Sequence, residues 1–104
     1  MTATKENILI YLREIKSELN QKGVIKLALF GSFAKDEQGV YSDIDIAISK
    51  DRELLSRSSA YAYFDLLSFI KDKISLKFHK KIDIFDLDSK SDFKKSIEKE
   101  LIYV

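Results

Sequence analysis

Three aspartates set inside isoleucine-rich runs are the residues of this chain best suited to chemistry. Asp43 and Asp45 stand in Ser42-Asp43-Ile44-Asp45-Ile46-Ala47-Ile48, and Asp83 in Lys81-Ile82-Asp83-Ile84-Phe85. Aspartate is depleted in strands, so three in such runs ask for a reason. Two carboxylates two residues apart in a strand leave the same face, about 6–7 Å apart along it. They repel each other, and a divalent cation between them removes that cost. An all-oxygen donor set completed by water and phosphate oxygens suits Mg²⁺. If the strand bearing Asp83 lies alongside, a third carboxylate joins. Three carboxylates can hold two metals about 3.5–4 Å apart, one activating a nucleophile and one clamping phosphates. An Asp-x-Asp pair alone also reads as a solvated strand face, so the combination carries the argument.

A second feature precedes the first in the chain. The apolar run Leu27-Ala28-Leu29-Phe30 stops at Gly31-Ser32. Glycine lets backbone N–H groups approach a phosphate closely, a following helical turn adds a positive dipole end, and the Ser32 hydroxyl donates a hydrogen bond. The plain alternative is a strand-ending turn. Lys35 is a candidate phosphate contact. The lone histidine, His79, sits among Lys77, Lys80 and Lys81 and reads as solvated, with no catalytic role. Asp86 and Asp88 read as shaping a turn or the start of the last helix rather than binding metal.

The elements that must position these groups follow from periodicity. Ile8, Leu12, Ile15 and Leu19 form one face of a first helix, capped by Thr2 or Thr4 and stopped at Lys22-Gly23. Val24 to Phe30 reads as a buried strand. Ser32 to Glu37 reads as a short helical turn, and Ser42 to Ile48 as a strand with Ile44, Ile46 and Ile48 opposite Asp43, Asp45 and Ala47. Lys50 to Ser59 is polar and reads as a loop or a loose helix start. A long helix capped by Ser58 or Ser59 then carries Tyr63, Leu67, Ile70 and Ile74, with Ala60 and Phe64 beside them. Ile82 to Phe85 makes a third strand. A last helix begins at Ser89 or Ser91 with Phe93, Ile97 and Leu101 on one face, and Leu101 to Val104 ends as a short strand or apolar tail. The order implies an α/β (α+β) domain over residues 1–104, a small mixed sheet flanked by helices.

Composition excludes several classes. The 104 residues are 45% hydrophobic and 34% charged, values of a folded rather than a disordered chain. A net charge of +1 gives no overall pull toward nucleic acid or membrane. The absence of cysteine removes disulfides and thiolate metal sites. No apolar run approaches the ~20 residues of a membrane helix, and Met1 to Asn7 lacks the order of a signal peptide. A cytoplasmic location is expected.

Phe30-Gly31-Ser32, then Ser42-Asp43-Ile44-Asp45, then Ile82-Asp83-Ile84, with the closing Asp86-Leu87-Asp88 and Ile102-Tyr103-Val104, resemble the minimal nucleotidyltransferase (MNT) family. That family is a branch of the DNA polymerase β-like nucleotidyltransferase superfamily, and the resemblance covers nearly the whole chain. It implies a nucleotidyltransferase fold in which Gly31 and Ser32 hold a nucleoside triphosphate. It further implies that Asp43 and Asp45 ligate metal, and that Asp83 completes the site and helps activate the attacking hydroxyl. Family members often carry Arg-Gly where this chain has Lys35-Asp36. Lysine keeps the charge but not the planar two-pronged donor. By resemblance the cofactor is Mg²⁺ in a two-metal site, and the substrate is ATP. The partner is a helical HEPN toxin, neutralised by this chain as antitoxin through transfer of AMP to a hydroxyl. Larger transferases of the superfamily carry an acceptor-binding domain for which this length leaves no room, so the acceptor surface is expected from that partner. Neither membrane association nor direct nucleic-acid binding is expected. The rival reading is a binding antitoxin that covers its partner without chemistry; a free-standing transferase of small molecules is a third.

Overall fold

In the computed structural model, which describes residues 1–59 and 61–104, the first helix, α1, runs Lys5–Gln21. The Thr4 hydroxyl accepts from the Asn7 N–H, satisfying one of the orphan donors of the first turn. Ile8, Leu12, Ile15 and Leu19 are all buried, as their spacing requires. Gly23, at φ +112°, turns the chain into β1, Val24–Phe30. A four-residue helix, α2 (Gly31–Ala34), follows, and then β2 (Ile44–Lys50).

The strand expected from Ser42 starts two residues later, so Asp43 lies just outside it. Ser42 is held in a tight turn: its N–H donates to the Gly39 carbonyl at 3.2 Å, and its hydroxyl accepts from the Gly39 N–H at 2.8 Å. Ladder pairing begins only where the Ile44 N–H donates to the Lys81 carbonyl. At its far end β2 runs on to Lys50, which pairs with Val24.

The polar stretch after Lys50 contains a short helix, α3 (Arg52–Ser56), capped by the Asp51 carboxylate on the Leu54 N–H. Helix α4 spans Ala62–Phe78, starting later than Ser58 or Ser59 would set it and without a side-chain cap. Its buried stripe is Leu66, Ile70, Ile74 and Phe78, while Tyr63 and Leu67 flank it half-buried; Ala60 lies outside the described residues. His79 ends the helix in the left-handed conformation, φ 56°, the position usually given to glycine. Strand β3 (Ile82–Asp86), helix α5 (Asp92–Ile97, capped by Ser91), a 3₁₀ turn (Glu98–Glu100) and strand β4 (Ile102–Tyr103) complete the chain.

The sheet order is β3-β2-β1-β4. Strands β2 and β3 run parallel, which requires a crossover, and α4 supplies it. The other two pairings are antiparallel. One face, with Leu27, Leu29, Ile44, Ile46 and Ile48, packs under the buried residues of α1 and α4. Each of these side chains contributes about 1.5–3 kcal/mol by leaving water. On the other face Ala28, Phe30 and Ala47 meet Leu87 and Ile97 in a smaller cluster. Asp45 alternates onto that second face, which α5 covers only in part. Among the described residues no helix is long and apolar enough to cross a membrane.

Candidate active site

Asp45 is the centre of the acidic group because of register. It pairs with Phe30 of β1 on one side and with Asp83 of β3 on the other. Parallel neighbours sit about 4.8 Å apart, so Asp45 and Asp83 leave the same face side by side. Asp43, one turn-bound position before β2, also reaches Asp45 with its charge. Asp43 and Asp45 are half-buried and Asp83 is exposed. The three aspartates singled out by sequence are therefore brought together, Asp43 from a turn rather than from the strand itself.

The electrostatics show the strain of that grouping. Burial, then the charges of Asp83, Asp43 and Glu100, push the Asp45 carboxyl up to about 6, against a pull down from Lys35 alone. Four carboxylates face one lysine. Glu100, in the 3₁₀ turn, was not foreseen from sequence; it lies 69 residues from Gly31, and no local pattern marks it.

Gly31 meets the acidic group at contact distance. Its φ is +77°, and a Cβ built there would stand 2.1 Å from Oδ2 of Asp45. Only glycine fits both the backbone angle and the space. The Gly31 N–H donates to Oε1 of Glu100 at 3.0 Å, and Lys35 Nζ lies 3.5 Å from Oε2 of the same residue. Ser32, half-buried, is the second residue of α2, and its carbonyl accepts from the Glu37 N–H at 2.8 Å. Asp36, where the resembled family often has glycine, holds φ 56°. Aspartate tolerates that left-handed angle.

Among the described residues no group of three or more Asp, Glu, His or Cys side chains is placed to hold a metal ion, so the expected three-carboxylate metal set of Asp43, Asp45 and Asp83 is not formed as such. A cation here would take only part of its shell from the protein, and Mg²⁺ is the ion that commonly keeps waters and substrate phosphates. The excess negative charge on Asp45 and its neighbours fits such an ion. The more prominent clefts, lined by residues such as Arg52, Lys90 and Lys94 or Leu54, Leu55 and Phe69, do not include these carboxylates. The acidic group stands on an open sheet face.

Two neighbouring features are structural. Phe30, Phe85 and Phe93 stack edge-to-face with centroids 5.0–6.5 Å apart, fixing α5 beside the acidic strands. Phe93, expected on a buried face, keeps 48% of its surface exposed. At the opposite end of the sheet Lys50 pairs with Asp86 and Asp88, and Tyr63 donates to Asp86 at 2.7 Å. Burial pushes the Asp86 carboxyl up, but Lys50, Tyr63 and the Asp88 N–H together hold it below the usual value. Asp86 and Asp88 thus shape the turn after β3, as expected, and tie it to β2 and α4.

Comparisons with known proteins agree with this architecture. Residues 13–104 match the family described as Polymerase beta, Nucleotidyltransferase. Two proteins of Methanocaldococcus jannaschii, provisionally named protein adenylyltransferases MJ1379 and MJ0126, are 38% and 35% identical over 96 residues, covering 89% of this chain and 90% of each relative. A chain from a crystal structure of a toxin–antitoxin with AMP-PNP superposes with a TM-score of 0.52 at 26% identity over 86% of this chain. This chain spans 61% of that one. A chain from a mutant toxin–antitoxin MntA–HpeT gives a TM-score of 0.57 at 20% identity, covering 97% of this chain and 71% of its own length, and shares the fold. The chain thus belongs to the polymerase beta nucleotidyltransferase family, in keeping with its resemblance to the minimal branch.

Proposed function

We propose that residues 1–104 act as a minimal nucleotidyltransferase domain that transfers AMP from ATP to a hydroxyl of a partner protein. The observation that carries this is the juxtaposition of Asp43, Asp45 and Asp83 with the Gly31 turn. The relatives' name, protein adenylyltransferase, and the AMP-PNP named with a structural neighbour favour AMP as the group and ATP as its source. In this reading Asp43 and Asp45 hold Mg²⁺ against the triphosphate, Asp83 contributes a further carboxylate, and Gly31, Ser32 and Lys35 meet the phosphates. When bound, Mg²⁺ neutralises charge at the phosphates and lowers the pKa of an attacking hydroxyl.

The chain's own groups do the rest. The Gly31 turn and Lys35 fix the β- and γ-phosphates so that the α-phosphorus lies over the acidic face. Asp83, the most exposed of the three carboxylates, accepts the proton of the incoming hydroxyl. The acceptor oxygen bonds to the α-phosphorus as the bond to the bridging oxygen of the β-phosphate breaks, and pyrophosphate leaves. Most of the rate comes from positioning and charge neutralisation.

The open face and the exposed Val40 and Tyr41, 83% and 95% accessible just before Asp43, suit an acceptor that is itself a protein. The toxin–antitoxin context of the structural neighbours favours a toxin, and by resemblance a helical HEPN protein, with this chain as antitoxin. The test uses ATP labelled at the α- or the γ-phosphate, Mg²⁺ and the product of the adjacent reading frame. Label from the α position alone on the partner supports the proposal. Label from the γ position, or none, contradicts it; neutralisation without label supports a purely binding antitoxin.

A further inference from the structure

Strand β4 is only two residues long, and its pairing with β1 sets Ala28 opposite Tyr103 and Leu29 opposite Ile102. Continued by two residues, that register sets Gly31 opposite Glu100. The Val104 N–H donates to the Leu27 carbonyl, so alternate residues of β1 (Leu27, Leu29 and then Gly31) turn their backbone groups toward β4. At Gly31 the ladder has run out, because Glu98–Glu100 has turned into a 3₁₀ helix. The Glu100 carboxylate takes the place of the missing strand. Oε1 accepts the Gly31 N–H at 3.0 Å, and Oε2 lies 3.5 Å from Lys35 Nζ. One half-buried side chain thus grips both ends of the α2 turn.

We propose that Glu100 is a positioning residue for nucleotide: it fixes the Gly31 backbone and the Lys35 ammonium in the geometry that receives phosphate. The inference rests on the reading of Gly31 and Lys35 as phosphate contacts and adds to it the part played by the C-terminal segment. Two observations favour this over a filler role. Gly31 holds φ +77° in contact with Asp45, so freedom at its N–H moves the turn against a carboxylate 2.1 Å from the Cβ position. Lys35 has another acidic neighbour, Glu37, at 4.0 Å and 69% exposed. Without Glu100 the lysine swings outward to it and leaves the acidic face. Because the hydrogen bond joins residues 69 apart, it also makes the site depend on the docking of β4.

The experiment measures ATP·Mg²⁺ binding by calorimetry, and KM and kcat for transfer, in wild type and in Glu100→Gln, Glu100→Asp and Glu100→Ala. Glutamine keeps an acceptor for the Gly31 N–H and loses only the charge facing Lys35, so its affinity falls about threefold to tenfold. Aspartate keeps the charge but is one methylene too short, and alanine keeps neither. Both raise KM and Kd about tenfold to a hundredfold, the range of a charge-assisted hydrogen bond, with kcat within threefold of wild type. Glu100→Asp, which keeps the charge and removes a single methylene, answers the question if Glu100→Ala does not fold. Unchanged Kd in Glu100→Asp, tighter binding in any variant, or a loss confined to kcat overturns the inference while leaving the proposed function standing. Failure of wild type itself to bind ATP·Mg²⁺ overturns both.

Discussion

Replacing Asp45 by asparagine is expected to stabilise the metal-free protein while destroying its function. The carboxyl is raised from 3.8 to about 6, first by burial and then by Asp83, Asp43 and Glu100. A folded-state pKa above the unfolded one means that the folded protein binds the proton more tightly. The site is therefore unstrained below pH ~4, loses stability as pH rises from about 4 to about 6, and stays penalised above. A shift of about two units corresponds to roughly 3 kcal/mol at 1.36 kcal/mol per unit. Asp45 is partly solvated, and screening cuts that to about 1–1.5 kcal/mol. In a chain of this size Asp45→Asn then raises Tm by about 4–8 °C. The assay is thermal unfolding of both proteins in EDTA and low salt, at pH 7.5 and at pH 4. The variant is expected to melt higher at pH 7.5, and the gap to close at pH 4. With Mg²⁺ and ATP the order reverses at pH 7.5, because only wild type gains from ligand linkage. A variant that melts at or below wild type at pH 7.5 in EDTA refutes the reasoning.

Gly31→Ala forces a Cβ against the Asp45 carboxylate at a left-handed φ. It should cost about 1–2 kcal/mol from the backbone alone and abolish ATP·Mg²⁺ binding, read by melting and calorimetry. Asp83→Asn touches an exposed side chain, so Tm and partner binding should hold within about 0.5 kcal/mol while transfer falls at least a hundredfold in single-turnover assays. Tyr63→Phe removes the 2.7 Å hydrogen bond to Asp86 and should cost about 1 kcal/mol. Since Asp86 titrates below its unfolded value, its contribution is present above pH ~4 and lost as pH falls through the folded pKa. The difference between Tyr63→Phe and wild type should therefore shrink in acid.

Much of the scaffold was legible because burial on one face leaves a period in the sequence. Ile8, Leu12, Ile15 and Leu19 mark α1, and the isoleucines at 44, 46 and 48 mark the covered face of β2. The acidic group was legible for the converse reason: aspartates stand where strands disfavour them. Alternation continues through Asp43 and so draws it into the strand, and nothing local shows that pairing starts only at Ile44, against Lys81. The start of α4 was misread because capping serines stand near it but none caps it. Phe93 looked like core by spacing, yet α5 rests at the edge of the second face and leaves its ring half outside. Glu100 was not legible, since its partner is 69 residues away and glutamate in a charged helix end is the commonest of surfaces.

The central claim is that the carboxylates of Asp43, Asp45 and Asp83 make nucleotide binding and transfer depend on a divalent cation. Its most direct measurement is transfer of α-labelled AMP from ATP to the partner, with Mg²⁺ titrated from zero, in wild type and in the Asp43→Asn, Asp45→Asn double variant. Transfer that rises with Mg²⁺ in wild type and stays at background in the folded, partner-binding variant is the predicted result. Transfer without divalent cation, or transfer by the double variant, contradicts the account.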